Sequence, residues 1–199
     1  VKLAEIFDDP HDRRIDLQSK VSEFAPMPVK ESYGFFDFKV NDTKSDYLGF
    51  ALVEKDTDRV ESYLNLTKTQ LGWQVGFMQS DTKQEGHMKF LTERAAQLVG
   101  HYFSDASQTP EARGFWQHVI QKPHLLIVRA FSTKKSYPIK QVDGKWKPNV
   151  WSDSKTWRLL IKPKIADPVT INEWARKYEL AYQGVSFYHY LGHHDLDKL

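Results

Sequence analysis

The sequence predicts an α+β fold with antiparallel hairpins at both ends of a helical middle, within a single compact domain spanning residues 1–199. Three observations predict it. Apolar residues alternate at period two near residues 33–54, and a largely apolar run marks another strand over 124–131. Between them, apolar residues recur at helical spacing. Asp143-Gly144 then sits between two extended runs, and both turn residues of such a hairpin must accept positive φ.

Taken in order, the opening is acidic at Asp8, Asp9 and Asp12. It continues as weak helix, with Ile15, Val21 and Phe24 as apolar points. Pro26 and Pro28 end it, because proline disfavours helix at the residue before it. Residues 1–30 are expected to form a peripheral segment. Over 33–40 a strand is predicted, with Phe36, Phe38 and Val40 on one face and Phe35, Asp37 and Lys39 on the other. After a turn at Asn41-Asp42-Thr43, residues 47–54 repeat the alternation as the second arm of a hairpin. Val60, Tyr63, Leu64, Thr67 and Leu71 fall at helical spacing. Thr57 or Asp58 would cap that helix and Gly72 would end it.

Trp73, Val75 and Phe77 alternate as a strand. Met88, Leu91, Ala95, Leu98, Val99 and Tyr102 predict a longer helix. Thr109-Pro110 opens another, with proline at its first position and Phe115, Trp116, Val119 and Ile120 on its apolar side. Strands are predicted over 124–131 and 156–161, the second stopped by Lys162-Pro163-Lys164. Thr170 and Glu173 form a capping box before Trp174, Tyr178 and Ala181, and Gly184 closes that helix. Residues 187–199 are expected to be a flexible tail.

Composition narrows the function classes. The chain has no cysteine, so disulfides and thiol catalysis are excluded. Its longest apolar run, Leu125-Leu126-Ile127-Val128, is far short of the roughly 20 residues of a membrane helix. No membrane association and a cytoplasmic location are expected. The net charge of +2 is unevenly spread. Residues 1–121 carry 14 Lys/Arg against 19 Asp/Glu, a net of −5, whereas residues 122–164 carry 11 against 2, a net of +9.

That basic segment interleaves cations with aromatic rings, the pairing a flexible single strand of nucleic acid requires. Cations neutralise phosphates and flat rings stack bases. Arg129, Lys134, Lys135, Lys145, Lys147 and Arg158 are the phosphate candidates, and Tyr137, Trp146 and Trp151 the stacking candidates. A competing reading makes the lysines the protective charges of a sheet edge and the tryptophans core, since in a strand Trp146 points away from Lys145 and Lys147. The expected partner is nucleic acid, or else an acidic protein met by a non-catalytic interaction module.

Other constellations are fainter. Residues 31–38 resemble the RNP1 strand of RNA-recognition motifs, with Tyr33, Gly34, Phe35 and Phe38 in register. That resemblance implies base stacking by Tyr33 or Phe35. The chain departs from the pattern at Glu31, Ser32 and Phe36, where a cation, a glycine and an aliphatic residue would stand. Asp37-Phe38-Lys39 is similar to the last element of PD-(D/E)xK nucleases, which implies a metal-dependent nuclease. Asp37 would hold a divalent cation and Lys39 steady the attacking water, with Asp16 or Glu31 as second carboxylate.

His189, His193, His194 and Asp195 are a histidine-rich cluster without an oriented frame, and His87, His101 and His118 are read as partly buried structural residues on predicted helices. No metal site and no cofactor are expected. No phosphate-cradling glycine loop or nucleophile elbow occurs, and the overall reading leans away from an enzyme.

Overall fold

The computed structural model describes residues 15–82, 86–105, 108–151 and 156–164. A 3₁₀ turn (Leu17–Lys20), capped by Asp16, whose side chain accepts from the Gln18 amide, runs into the short helix α1 (Val21–Phe24). Five strands follow as an antiparallel meander: β1 (Val29–Tyr33), β2 (Phe36–Lys44), β3 (Tyr47–Glu54), β4 (Val60–Thr69) and β5 (Gly72–Ser80). The chain then crosses through α2 (His87–Val99) to the two-residue β6 (Tyr102–Phe103), and through α3 (Pro110–Gln121) to β7 (Leu126–Ser132) and β8 (Lys135–Pro138). A separate hairpin, β9 (Lys140–Val142) and β10 (Lys145–Lys147), precedes β11 (Arg158–Pro163).

Among the described residues nine strands form one sheet in the order β1-β2-β3-β4-β5-β6-β11-β7-β8. Every pairing is antiparallel except β5 with β6, where Gln74 lies opposite Phe103. The expected separation of hairpins by a helical middle is therefore corrected. The two sets of strands join edge to edge in one sheet, and the helices lie upon it. The α+β class itself stands.

The largest departure is residues 60–71, predicted as helix and found as strand β4. This strand lies between β3 and β5 and is buried on both faces. Leu64 and Leu66 pack towards Phe90 and Leu91 of α2, while Val60 and Tyr63 pack with Leu17 and Phe24 on the other side. A strand covered on both faces loses its polar alternation, so its apolar residues can coincide with helical spacing. Thr57 and Asp58 belong to the β3–β4 turn, where Asp58 has φ 56°, and Gly72, at φ 113°, begins β5. Residues 33–40 are likewise not one strand. Gly34, at φ 59°, turns the chain and Tyr33 pairs with Phe36 across the hairpin.

In β5 the register shifts so that Phe77 faces Asn65 while Val75 faces Leu66, leaving Gly76 over. This bulge sends Phe77 to the face opposite Trp73 and Val75, against Tyr63 at 6.2 Å. α2 and α3 bury Phe90, Leu91, Trp116 and Val119 against one face. Fully burying Leu52, Leu64 or Leu66 contributes about 1.5–3 kcal/mol each.

The opposite face of β2–β4 is covered by residues 15–24, which contribute two side chains to the core. Leu17 and Phe24 are both buried there. A polar network fixes its position. The Glu23 carboxylate accepts from Asn41 Nδ2 (3.1 Å) and Tyr47 OH (2.6 Å), and Lys20 pairs with it at 3.3 Å. Burial, then the hydrogen bond to Glu23, pushes the Tyr47 phenol well above its ordinary range. Residues 1–14 and 165–199, with the predicted last helix and the histidine cluster, lie outside the described residues.

Candidate nucleic-acid interface

The β9–β10 hairpin turns at Asp143 (φ 50°) and Gly144 (φ 72°), the positive-φ pair that its sequence demands. Its register pairs Lys145 with Val142, Trp146 with Gln141 and Lys147 with Lys140. Residues two apart share a face, so Lys140, Lys145 and Lys147 gather on one side, all exposed. Lys140 and Lys147 stand directly opposite each other, an arrangement that costs a few tenths of a kcal/mol to about 1 kcal/mol in a protein with no anion to share.

Trp146 takes the other side and meets the edge of Trp151 at 5.3 Å. Trp151 is tied down by a chain of hydrogen bonds. Its Nε1 donates to Gln108 Oε1 (3.2 Å), Gln108 Nε2 donates to Ser104 Oγ (3.1 Å), and that buried hydroxyl also accepts from the Leu159 amide (3.0 Å). The hairpin is thus anchored through two indoles to the start of β11.

Beside Trp151 lies a shallow open recess lined by Asp105, Gln108, Arg113, Trp151, Trp157 and Arg158, among others. Arg113 comes from the first turns of α3. Thr109 caps that helix by accepting from the Ala112 amide, and Pro110 fixes its first residue. Trp157 is met edge-on by Tyr137 of β8 at 5.7 Å. Four aromatic residues of the basic segment are therefore linked in pairs, Tyr137 with Trp157 and Trp146 with Trp151, and each pair reaches the recess through Trp157 or Trp151. Tyr137 remains 38% exposed.

The predicted cations divide. Lys134 and Lys135 are exposed at the β7–β8 turn, where Thr133 and Lys134 have φ of 48° and 65°. Lys145 and Lys147 lie on the hairpin with Lys140. Arg158 opens β11 at the recess, its Nη1 turning back to the Trp157 carbonyl at 2.9 Å. Arg129 lies on the sheet face away from the helices, opposite Leu160 and on the same face as Arg158, and its Nη2 donates to the Ser136 carbonyl at 3.3 Å. The sequence reading missed Gln108 and Arg113, which fold in from about 40 residues away, and it left Trp157 out of the stacking set although its aromatic character was in view.

At the start of the segment, Lys89 of α2 is buried and donates to the Lys122 carbonyl at 2.9 Å, and burial pushes its pKa down. His124 is also pushed down, by burial first and then by the charges of Lys89, His118 and Lys122.

The fainter constellations are placed as follows. Tyr33 is buried and stacks on Phe90 at 4.7 Å, whereas Phe35 is 80% exposed at the β1–β2 tip. Asp37 and Lys39 do share a strand face. However, Asp37 accepts from Ser32 Oγ and Lys39 is buried, donating to the Phe24 carbonyl. Of the proposed second carboxylates, Asp16 caps the 3₁₀ turn and Glu31 pairs with Arg94 at 2.6 Å.

Among the described residues no three His, Asp or Glu side chains come together as metal ligands. His87 is buried beside Phe36 at 4.8 Å, and His101 and His118 are exposed, with His101 beyond the end of α2. Among the described residues no helix is long and apolar enough to cross a membrane. No protein-family model matches the chain, and no curated protein matches it in sequence.

Proposed function

We propose that this protein binds nucleic acid, in single-stranded or flexible form, through the β9–β10 hairpin and the aromatic recess beside it. The observation that carries the reading is the exposed lysine face of Lys140, Lys145 and Lys147. Setting Lys140 against Lys147 opposes folding and gains nothing without an anionic partner. A sheet edge needs only scattered charge for protection, not two lysines in direct register. The aromatic pairs Tyr137–Trp157 and Trp146–Trp151 give the same region ring surface next to its cations.

Fluorescence anisotropy with a labelled single-stranded oligonucleotide tests this. Binding that weakens steeply as salt rises is the expected result, since each phosphate contact releases counterions. Absent or salt-insensitive binding would refute it. An acidic protein could use the same lysines, and co-purification of a protein instead of nucleic acid would favour that second reading. A nuclease centred on Asp37 and Lys39 has less support, because Lys39 Nζ is committed to the Phe24 carbonyl.

A further inference from the structure

We propose that the face of β6, β7 and β11 turned away from α2 and α3 is a docking site for this chain's own residues 165–199, with the stretch 170–184 laid along β11. Cross-strand partners share a face, and the register pairs Leu160 with Phe103 and Arg129, Ile127 with Lys162, and Phe131 with Arg158. Val128, Ala130, Leu159 and Ile161 belong to the core under the helices, so these partners look the other way. The centre of their side is apolar. Phe103 lies 4.9 Å from Phe131 and beside Leu160, and Ile127 is 40% exposed. Arg129, Arg158 and Lys162 surround this patch, and the sequences of β6, β7 and β11 contain no carboxylate.

Burial says that a layer belongs there. Phe103 and Leu160 are 4% and 5% exposed, yet they stand in neither of the two packed cores. Apolar side chains on one face of a sheet need a second layer over them. The helices among the described residues are engaged elsewhere, α2 and α3 on the opposite face and residues 15–24 against Ala51, Val53, Val60 and Tyr63. The chain itself supplies the occupant. β11 is an inner strand between β6 and β7, so residue 165 follows directly from the middle of the sheet. From the capping box at Thr170 to Gly184 the sequence predicts a helix, and Ile171, Trp174, Tyr178 and Ala181 fall on one apolar stripe of it. Such a helix is about 22 Å long, close to the roughly 20 Å of β11. Residues 165–169 can span up to about 17 Å, enough to turn the chain back over the strand it has just left. Charge agrees, because residues 165–199 carry three Lys/Arg against five Asp/Glu, a net of −2, and the face they would meet is ringed by cations.

The absence of cysteine makes the test clean. Ser136→Cys, opposite Phe131 at the end of the face remote from Lys164, gives the full-length chain one attachment point for a nitroxide spin label. Amide NMR signals of residues 170–184 are expected to lose intensity to the label, most of all towards Gly184, and to regain it when the nitroxide is reduced. Trp174→Asp combined with Tyr178→Asp should abolish that loss. In the unmodified chain the same amides should exchange with solvent more slowly than those of an unstructured peptide. Signals untouched by the label would overturn the docking, as would a loss that fades from Lys164 towards Gly184 or one confined to residues 1–14. Loss in isotope-enriched protein without a label, seen on mixing it with spin-labelled protein lacking the isotope, would give the face to a second copy and overturn it too. Free exchange throughout 170–184 in the unmodified chain would decide against it even if the labelled variant did not fold.

Discussion

Strands β2 to β5 run eight to ten residues each and β3 and β4 are buried on both faces, whereas β8 to β10 have three or four residues, nearly all exposed. The first group lies in the stretch of net charge −5 and the second in the stretch of +9. Both belong to the same architecture, and they divide its work. The meander carries long ladders, two apolar faces and the anchored N-terminal segment. The later strands hold few buried side chains and display cations and half-buried indoles. On the proposed function, stability and binding are separable along the chain, and substitutions in the two regions should move different observables.

The largest effect is expected at Phe50, fully buried in β3 between the helices and the sheet. Phe50→Ala should lower unfolding free energy by about 3–5 kcal/mol in urea titration, through lost transfer energy and the cavity left behind. Next comes the cap that presents Arg113. Thr109→Ala removes the acceptor for the Ala112 amide and should lower unfolding free energy by about 1 kcal/mol in the same titration.

Lys147→Gln should behave in the opposite sense. Relieving the contact with Lys140 should stabilise the fold by a few tenths of a kcal/mol in thermal melts, while nucleic-acid affinity drops. A Phe50→Ala variant milder than Lys147→Gln would break the contrast between the two regions.

The smallest effect is a pH dependence at His124. In the unfolded chain this imidazole takes up its proton near the ordinary value of 6.5, but in the fold it does so only at lower pH. Between those two values the unfolded state binds more protons, so stability should fall as pH falls through that window and level off above it. His124→Asn should flatten the acid limb of a stability–pH curve. An unchanged curve would contradict a lowered His124 pKa from burial and the nearby charges of Lys89, His118 and Lys122.

Much of this division was legible in the chain, for reasons that can be named. Asp143-Gly144 specified its turn because few residues accept positive φ, and Thr109-Pro110 specified the start of α3 because cap and proline act locally. β4 was illegible because burial on both faces is a property of the finished sheet. The turn at Gly34 was hidden by Phe35, an exposed aromatic residue that prolonged the apolar pattern past the bend. The alternation of Trp146 against Lys145 and Lys147 could be read in advance. What could not be read was that Trp146 would rest on Trp151 and that Gln108, just before α3, and Arg113, within it, would come to the same place. Those contacts depend on packing between distant segments.

The central claim is that the lysine face of β9–β10 exists to meet phosphates. It is tested most directly by the slope of log affinity against log salt for a single-stranded oligonucleotide, in wild type and in a Lys140→Gln, Lys145→Gln, Lys147→Gln triple variant. Each phosphate contact on a single strand contributes about 0.7 to that slope, so losing three should reduce its magnitude by about 2. A triple variant that keeps the wild-type slope and affinity would contradict the assignment.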